Sequence, residues 1–430
     1  MSRSYLPRIV DKELEDYLEA FGAVLITGPK WCGKTTSASQ KAKSILKLQD
    51  PDKTLGYLMT AETKPTLLLE GEKPRLIDEW QMAPVLWDAV RTSVDDIGEE
   101  GLYILTGSTA VDESKIMHSG TGRIARLKML PMSLYESEES SGTISLISLF
   151  NDDKYNIDGK RSDLTIENLV FAACRGGWPS SLGKKSDRAK LLVASAYVDN
   201  IIESDVSSID GISRDPVKVR SLLRSYARNI GTTATNKTIL RDINANTNLS
   251  EAAFYDYVKA LNRLFVIDDI PAWNPSIRSK TSIRSLNKKM FIDPSIMTAA
   301  LGLTPSVLLQ DFNTFGFIFE NLCIRDLKVY AMSLGAEISY YRDRMDLEVD
   351  AVLHLQDGRF ALIEFKLGSN QIEQGAKHLL EVVTLIKKAN KTKKGLSLRE
   401  PNLLIIITGG DLAYTREDGV KIIPIGCLKN

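Results

Sequence analysis

The run "GPKWCGKT", from Gly28 to Thr35, fits the pattern G-x-x-x-x-G-K-[ST]. Its chemistry would be phosphate binding. Gly28 and Gly33 let the backbone curl until its amides point at phosphate oxygens. Lys34 would neutralise β- and γ-phosphates, and the Thr35 hydroxyl would ligate Mg2+. The expected ligand is ATP with Mg2+. An acidic partner is offered by "RLIDEWQ", where Asp78 ends an apolar run and would hold the Mg2+ shell. Glu79 would orient the attacking water. An acid pair at a strand end is also common surface chemistry. Ser108, in "LYILTGS", reads either as a sensor of the γ-phosphate or as an ordinary turn residue. Arg123 and Arg126, in "GTGRIARL", fit an arginine finger or surface salt bridges.

A second set of residues lies in "ALIEFKLG", 361–368, where Glu364 and Lys366 interrupt an apolar strand. Buried charge is costly unless paired or used. The segment 346–368 reads as a hairpin turning at "QDG". A two-residue loop would pair Gln356 with Arg359; a three-residue loop ending in Gly358 would pair Leu355 with Arg359. Only the longer loop sorts the faces, because a one-residue slip flips every side chain. It gives Leu353–Ala361, Ala351–Ile363, Val349–Phe365 and Leu347–Leu367 on one face. Val352–Leu362, Asp350–Glu364 and Glu348–Lys366 then share the other. Asp350 and Glu364 would stand roughly 5 Å apart at Cβ. Two such carboxylates repel unless a positive charge lies between them, and a divalent cation would serve. A structural ion pair is the plainer alternative. Glu320 joins as a third acid, half-buried on the amphipathic run "FGFIFENLCIRDLKVY".

These residues need rigid elements. "AVLIT" (23–27), "RLID" (75–78) and "LYILT" (102–106) read as buried strands of a parallel sheet. "TTSASQKAKSIL" reads as the helix that follows the phosphate loop, adding its positive N-terminal end. Polar "ESEESSGT" (136–143) marks a loop or boundary. Residues 160–265 are mainly helical. "NKTILRDINANTNLSEAAFYDYVKALNRLFVIDDI" (236–270) reads as helix, turn, helix, strand. Leu240, Ile243, Phe254, Val258, Leu261 and Leu264 would bury one face, and Ser250 would cap the second helix. This outlines a winged helix, although Glu251, Asp256 and Lys259 do not make a strongly basic reading face. The segment 274–289 holds five basic residues and no acid, and reads as a surface segment or linker. "KKANKTKK" (387–394) reads as a solvated helix end.

The 430 residues suffice for two or three domains. Lys plus Arg equals Asp plus Glu, 55 each, so no global basic field demands nucleic acid. Cys32, Cys174, Cys323 and Cys427 form no C-x-x-C pair, and the three histidines are His118, His354 and His378. Zinc chemistry is disfavoured. With no signal-like N-terminus and no run of about 18 apolar residues, a cytoplasmic protein without membrane partners is expected.

"TGPKWCGKTT", "LIDEWQMAPVLWDAVR", "GRIARLKMLPMSLYE", "RGGWPSSL", "FIDPSIMTAALG", "YYRDRMDLEVDAVL" and "GRFALIEFKLG" occur in this order. The chain thereby resembles prokaryotic AAA-family ATPases that join a P-loop domain to a winged helix and a C-terminal restriction-endonuclease-like domain. The resemblance implies an α/β fold: an AAA+ parallel-sheet domain over 1–150, a helical and winged-helix middle over 151–275, and an endonuclease-like α/β domain over 276–430. It implies nucleotide contacts from Lys34 and Thr35, and Gly28, Gly33, Thr36, Asp78 and Ser108 complete the expected nucleotide site. Asp78 and Glu79 become the Walker B pair, with Thr35 and Asp78 at the metal. Arg123 becomes a finger from a neighbouring subunit, hence a possible homo-oligomer. Glu320, Asp350 and Glu364 become metal positions, with Glu364 and Lys366 catalytic. Phe365 departs from the motif's usual β-branched residue, which alters packing and not ligands. The resemblance supplies no substrate; the phosphate site together with the Asp350, Glu364 and Lys366 hairpin sets the expectation of an ATPase coupled to a Mg2+-dependent nuclease-like domain acting on DNA or other nucleic acid, and the alternative is an ATP-switched binding protein whose nuclease-like domain is inactive and docks a partner.

Overall fold

The computed structural model describes residues 5–107, 120–274, 285–392 and 398–430. The chain divides into two compact units: Met1–Pro131 with Leu261–Phe265, and Met132–Ala260 with Val266–Asn430.

In the first unit, β1 (Ala23–Thr27), β2 (Ser44–Lys47), β3 (Arg75–Asp78), β4 (Tyr103–Thr106) and β5 (Ile124–Lys128) form one sheet in the order β2-β3-β4-β1-β5. Every pairing is parallel. β1 and β4 are buried almost throughout, which is why both read as unbroken apolar runs. Leu25, Ile77, Trp80, Trp87 and Leu105 share one core. The helix after the phosphate loop ends sooner than expected. It spans Lys34–Lys41, and "SIL" belongs to β2. Ala42 turns to extended backbone, and in the edge strand only Leu46 is buried, so the segment lacks the alternation that announces a strand.

The second unit opens with helices, among them Ile166–Arg175, Asp187–Asn200, Pro216–Arg228, Asn236–Ile243 and the helix Glu251–Arg263 as far as Ala260. Ser250 Oγ accepts the Ala253 amide at 3.2 Å, the expected cap. The buried stripe differs slightly from the expected one. Ile239, Ile243, Phe254 and Tyr257 are buried, whereas Leu240 and Val258 are only half-buried. After these helices two arms run antiparallel, with Ile267 opposite Phe291 and Ile270 opposite Lys288. Ile270 and Lys288 exchange both backbone hydrogen bonds at 3.0 Å. The expectation of a surface segment fails at this end: Lys288 is 1% exposed and Lys289 is also buried. Of its other basic residues, Arg278, Lys280 and Arg284 lie outside the described residues.

The C-terminal part is a mixed sheet of β7 (Ala336–Arg342), β8 (Glu348–Leu355), β9 (Phe360–Lys366), β10 (Leu403–Thr408), β11 (Tyr414–Thr415) and β12 (Lys421–Pro424). Its order is β11-β12-β10-β9-β8-β7. β6 (Ile144–Ser145) pairs separately with β13 (Leu428–Lys429). The helix Phe312–Met332 packs on β7–β9, and the helix Ile372–Thr392 on β8–β10. Val352, Leu362 and Ile406 meet Ile372, Leu379 and Val382 of the latter.

The β8–β9 hairpin has the three-residue loop. Leu355 N–H donates to Arg359 O at 2.9 Å, and Gly358 takes φ +85°. The ladder pairs His354 with Phe360, Leu353 with Ala361, Val352 with Leu362 and Ala351 with Ile363. One step further, the Asp350 side chain replaces the ladder: its Oδ2 accepts the Phe365 amide at 2.9 Å.

Candidate functional site

The phosphate loop leaves the carboxyl end of β1. Register places Ile26 beside Thr106, and Thr106 beside Asp78, so three strand ends meet where an open parallel sheet binds ligands. Gly33 is left-handed at φ +104° and starts the helix Lys34–Lys41. Gly28 has φ +145°, and a Cβ there would lie 2.1 Å from Met129 O, so glycine is required. Lys34 Nζ donates to the carbonyls of Gly28 at 3.0 Å and Pro29 at 2.8 Å, folding the ammonium over the loop. Thr36 is exposed on the helix's first turn.

Thr35 Oγ1 and Thr106 Oγ1 both donate to Asp78 Oδ1, at 2.7 and 2.6 Å. A hydroxyl and a carboxylate thus converge on one spot, a donor set that suits Mg2+, which takes few protein ligands and keeps its waters. Glu79 follows with φ 56° and ψ 47°, a left-handed conformation costly for a residue with a side chain. Gln81 Nε2 donates to its Oε2. Gln81 was not singled out from sequence, and its place two residues after Glu79 is the only signal there. Ser108 lies outside the described residues. Arg123 precedes β5 and donates to Asp95 at 2.7 Å. Since β5 runs parallel to β1, Arg123 sits at the opposite end of the sheet from its own phosphate loop. A five-residue strand spans roughly 17 Å, so within one chain the two do not meet. Arg126 lies within β5 itself.

Sequence reasoning missed the support for the loop from the N-terminal segment. Arg8 is buried and donates to Cys32 O at 2.9 Å and Leu130 O at 2.8 Å.

Residues 20–138 match the AAA domain family. This part of the chain has the fold of an AAA-type P-loop domain. Residues 166–307 and 315–428 match two domains of unknown function, DUF8612 and DUF4143. No curated protein matches the chain. Among solved structures, the Walker-type ATPase paby2304 of Pyrococcus abyssi is 14% identical, with 67% of this chain and 94% of that chain covered and a TM-score of 0.41. A RuvB of Thermotoga maritima is 16% identical, covering 61% and 89%, with a TM-score of 0.27. No helix among the described residues is long and apolar enough to cross a membrane.

The second unit brings the C-terminal acids together around two lysines. Lys288 Nζ lies 2.7 Å from Glu320 Oε1, 2.7 Å from Glu348 Oε1 and 3.7 Å from Asp350 Oδ1. Lys366 Nζ lies 3.5 Å from Asp350 Oδ2 and 2.5 Å from Glu364 Oε2. His378 Nδ1 stands 3.8 Å from Glu364 Oε1. Lys288 and Glu348 were not among the expected site residues. The chemistry of the acids would suit a hard cation, but ammonium groups already take their oxygens. Among the described residues no group of three or more His, Cys, Asp or Glu is placed to hold a metal ion. The structure brings the expected metal set of Glu320, Asp350 and Glu364 together, with their carboxylates against the Lys288 and Lys366 nitrogens.

Burial raises the Glu364 pKa from the ordinary 4.5 to about 8, with the Asp350 charge adding to it and Lys366 opposing. Burial likewise raises Glu320 to about 7, against the pull of Lys288. Asp350 goes the other way. Burial pushes it up, but Lys288, Lys366 and the Phe365 amide outweigh that and lower it. Four carboxylates face two ammonium groups, so protons on Glu364 and Glu320 offset the excess negative charge.

A pH dependence follows. Near neutral pH the folded unit keeps protons that the unfolded chain has released. The stabilisation is full below about pH 4.5 and is lost as pH rises through 7 and 8, by about 1.4 kcal/mol per pH unit for each proton. The melting temperature is expected to fall between pH 6 and 8.5. Glu364→Gln should flatten that profile; a profile parallel to wild type would show that Glu364 carries no such proton.

Proposed function

We propose that the chain is an ATP-hydrolysing switch whose C-terminal sheet binds a partner and does not cut nucleic acid. The observation that carries this reading is the closed acid cluster, in which Lys288 and Lys366 occupy the carboxylate oxygens. In the nucleotide site, loop amides and Lys34 would hold the phosphates, and Thr35 and Asp78 would hold Mg2+, which would supply charge neutralisation to them. Glu79 orients the attacking water, and Gln81 fixes the Glu79 carboxylate. Arg123 acts at the nucleotide of a second copy, since its own phosphate loop lies at the other end of the sheet.

Glu79→Gln should trap bound ATP. Amide hydrogen exchange in the second unit should then differ between the ATP-trapped variant and the ADP-bound wild type. Identical exchange in the two states would refute the switch.

Nucleic acid as the partner is a second reading. It draws on the order of helix Asn236–Ile243, helix Glu251–Arg263 and the two antiparallel arms, an order that would suit a winged helix. Lys237 and Arg241 are exposed on the first of these helices. Lys289 does not serve it, because it is buried against Asp269 at 2.9 Å. Fluorescence anisotropy with duplex DNA decides: binding that weakens in a Lys237→Glu/Arg241→Glu variant supports the reading, and no binding removes it.

A further inference from the structure

Lys288 is the least expected member of the acid cluster, and its backbone setting explains how it is held there. It lies on the returning arm of the antiparallel pair, fixed to Ile270 by two hydrogen bonds of 3.0 Å. Its neighbour Lys289 is registered against the loop before the helix Asn236–Ile243. Lys289 N–H donates to Thr232 O at 2.8 Å, and Lys289 O accepts the Gly231 amide at 3.0 Å. On the far side, Tyr340 Oη donates to Leu286 O at 2.5 Å, and its ring lies 5.7 Å from Lys288 Nζ. The arm is therefore tied to the helical part on one side and to β7 on the other. Between these ties it delivers one ammonium group, 1% exposed, onto Glu320, Glu348 and Asp350.

Those three carboxylates come from two elements: Glu320 from the helix Phe312–Met332, and Glu348 and Asp350 from the start of β8. They have no reason to converge on a point unless a cation sits there, because like charges brought together out of water repel strongly. A lysine supplies one positive charge and three donors. A divalent cation of the Mg2+ class would supply two charges to the same hard oxygens.

We propose that Lys288 is a tethered cation occupying the place of a divalent metal ion, so that withdrawing its ammonium converts Glu320, Glu348 and Asp350 into a metal site. The wild-type cluster excludes the metal, and the arm that carries Lys288 decides which cation is present. The inference rests on the reading of a closed cluster and adds the group that closes it.

Mn2+ titration of the full chain, followed by electron paramagnetic resonance without nucleotide, tests it. Wild type should show no Mn2+ site that Asp350→Asn removes. Lys288→Ala should gain one Mn2+ per chain, and Lys288→Ala/Asp350→Asn should lose it again. Lys288→Gln, which keeps a neutral donor toward Glu320, is read in the same way and serves if the alanine variant does not fold. A wild-type site lost on Asp350→Asn would overturn both the inference and the closed-cluster reading. A folded Lys288 variant that binds no more Mn2+ than wild type would overturn the inference alone.

Discussion

Lys34→Ala is expected to lower ATP hydrolysis by about 10²–10³-fold, the usual cost of removing one preorganised charge from a transition state. Phosphoryl transfer leaves little for a protein to do beyond positioning and neutralising charge. On the proposed reading the neutralising group is the Lys34 ammonium, held over the loop by the Gly28 and Pro29 carbonyls. The loop itself should survive the change. Gly28 and Gly33 set its backbone, and Arg8 holds the Cys32 carbonyl. The variant should therefore melt within a few degrees of wild type while losing turnover. Lys34→Arg should not rescue it, since a planar guanidinium does not reproduce a compact point charge in so close a loop. Steady-state phosphate release and nucleotide binding, measured side by side, check this. Turnover within threefold of wild type in Lys34→Ala would mean that the loop is not the hydrolytic site.

The largest effect on stability is expected at Arg325. This guanidinium is buried and donates to Asp293 Oδ2 at 3.0 Å and to Asp326 Oδ1 at 2.7 and 2.9 Å. Both aspartates are fully buried and hold backbone amides in turn. Asp326 accepts the Leu134 amide at 3.0 Å, and Asp293 the Gly177 amide at 2.9 Å. Arg325→Met removes the only cation that any hydrogen bond or ion pair gives these two carboxylates among the described residues, and leaves both charged groups in the core. Breaking a buried pair from one side costs about 3–5 kcal/mol. Urea unfolding should show a loss of that size. Arg325→Met/Asp326→Asn should regain part of it, because one uncompensated charge is gone. A loss below about 1 kcal/mol in the single variant would mean that the carboxylates find other partners. The network bears on the site because Arg325 and Glu320 share the helix Phe312–Met332.

The nucleotide site was legible because its parts are local. Gly28 to Gly33 is one loop between one strand and the helix that begins at Lys34, and Asp78 closes a short strand directly after the apolar pair Leu76 and Ile77. The β8–β9 register was legible for a different reason: only one slip puts Ala351, Leu353, Ala361 and Ile363 on a common face. The ladder ends at Ala351–Ile363, one pair short of the expected Asp350–Glu364. At Asp350 a side chain, not a backbone group, takes the next amide, and a face-sorting argument has no means of seeing it. Lys288 was illegible for a deeper reason. Lysine is almost never fully buried unless paired, and its partners Glu320 and Glu348 lie 32 and 60 positions further along the chain. Nothing near Lys288 in sequence distinguishes it from a surface lysine. Strand β2 escaped because an edge strand with one buried residue carries no period.

The closed cluster is tested most directly by what the protein does to DNA while it is consuming ATP. Supercoiled plasmid would be incubated with wild-type protein, ATP and Mg2+ or Mn2+, with phosphate release followed in the same tube. The expected result is steady ATP turnover and a plasmid that stays supercoiled. Nicking or linearisation that Glu364→Ala abolishes would contradict the account, because it would require the carboxylates now closed by Lys288 and Lys366 to work as an open catalytic site.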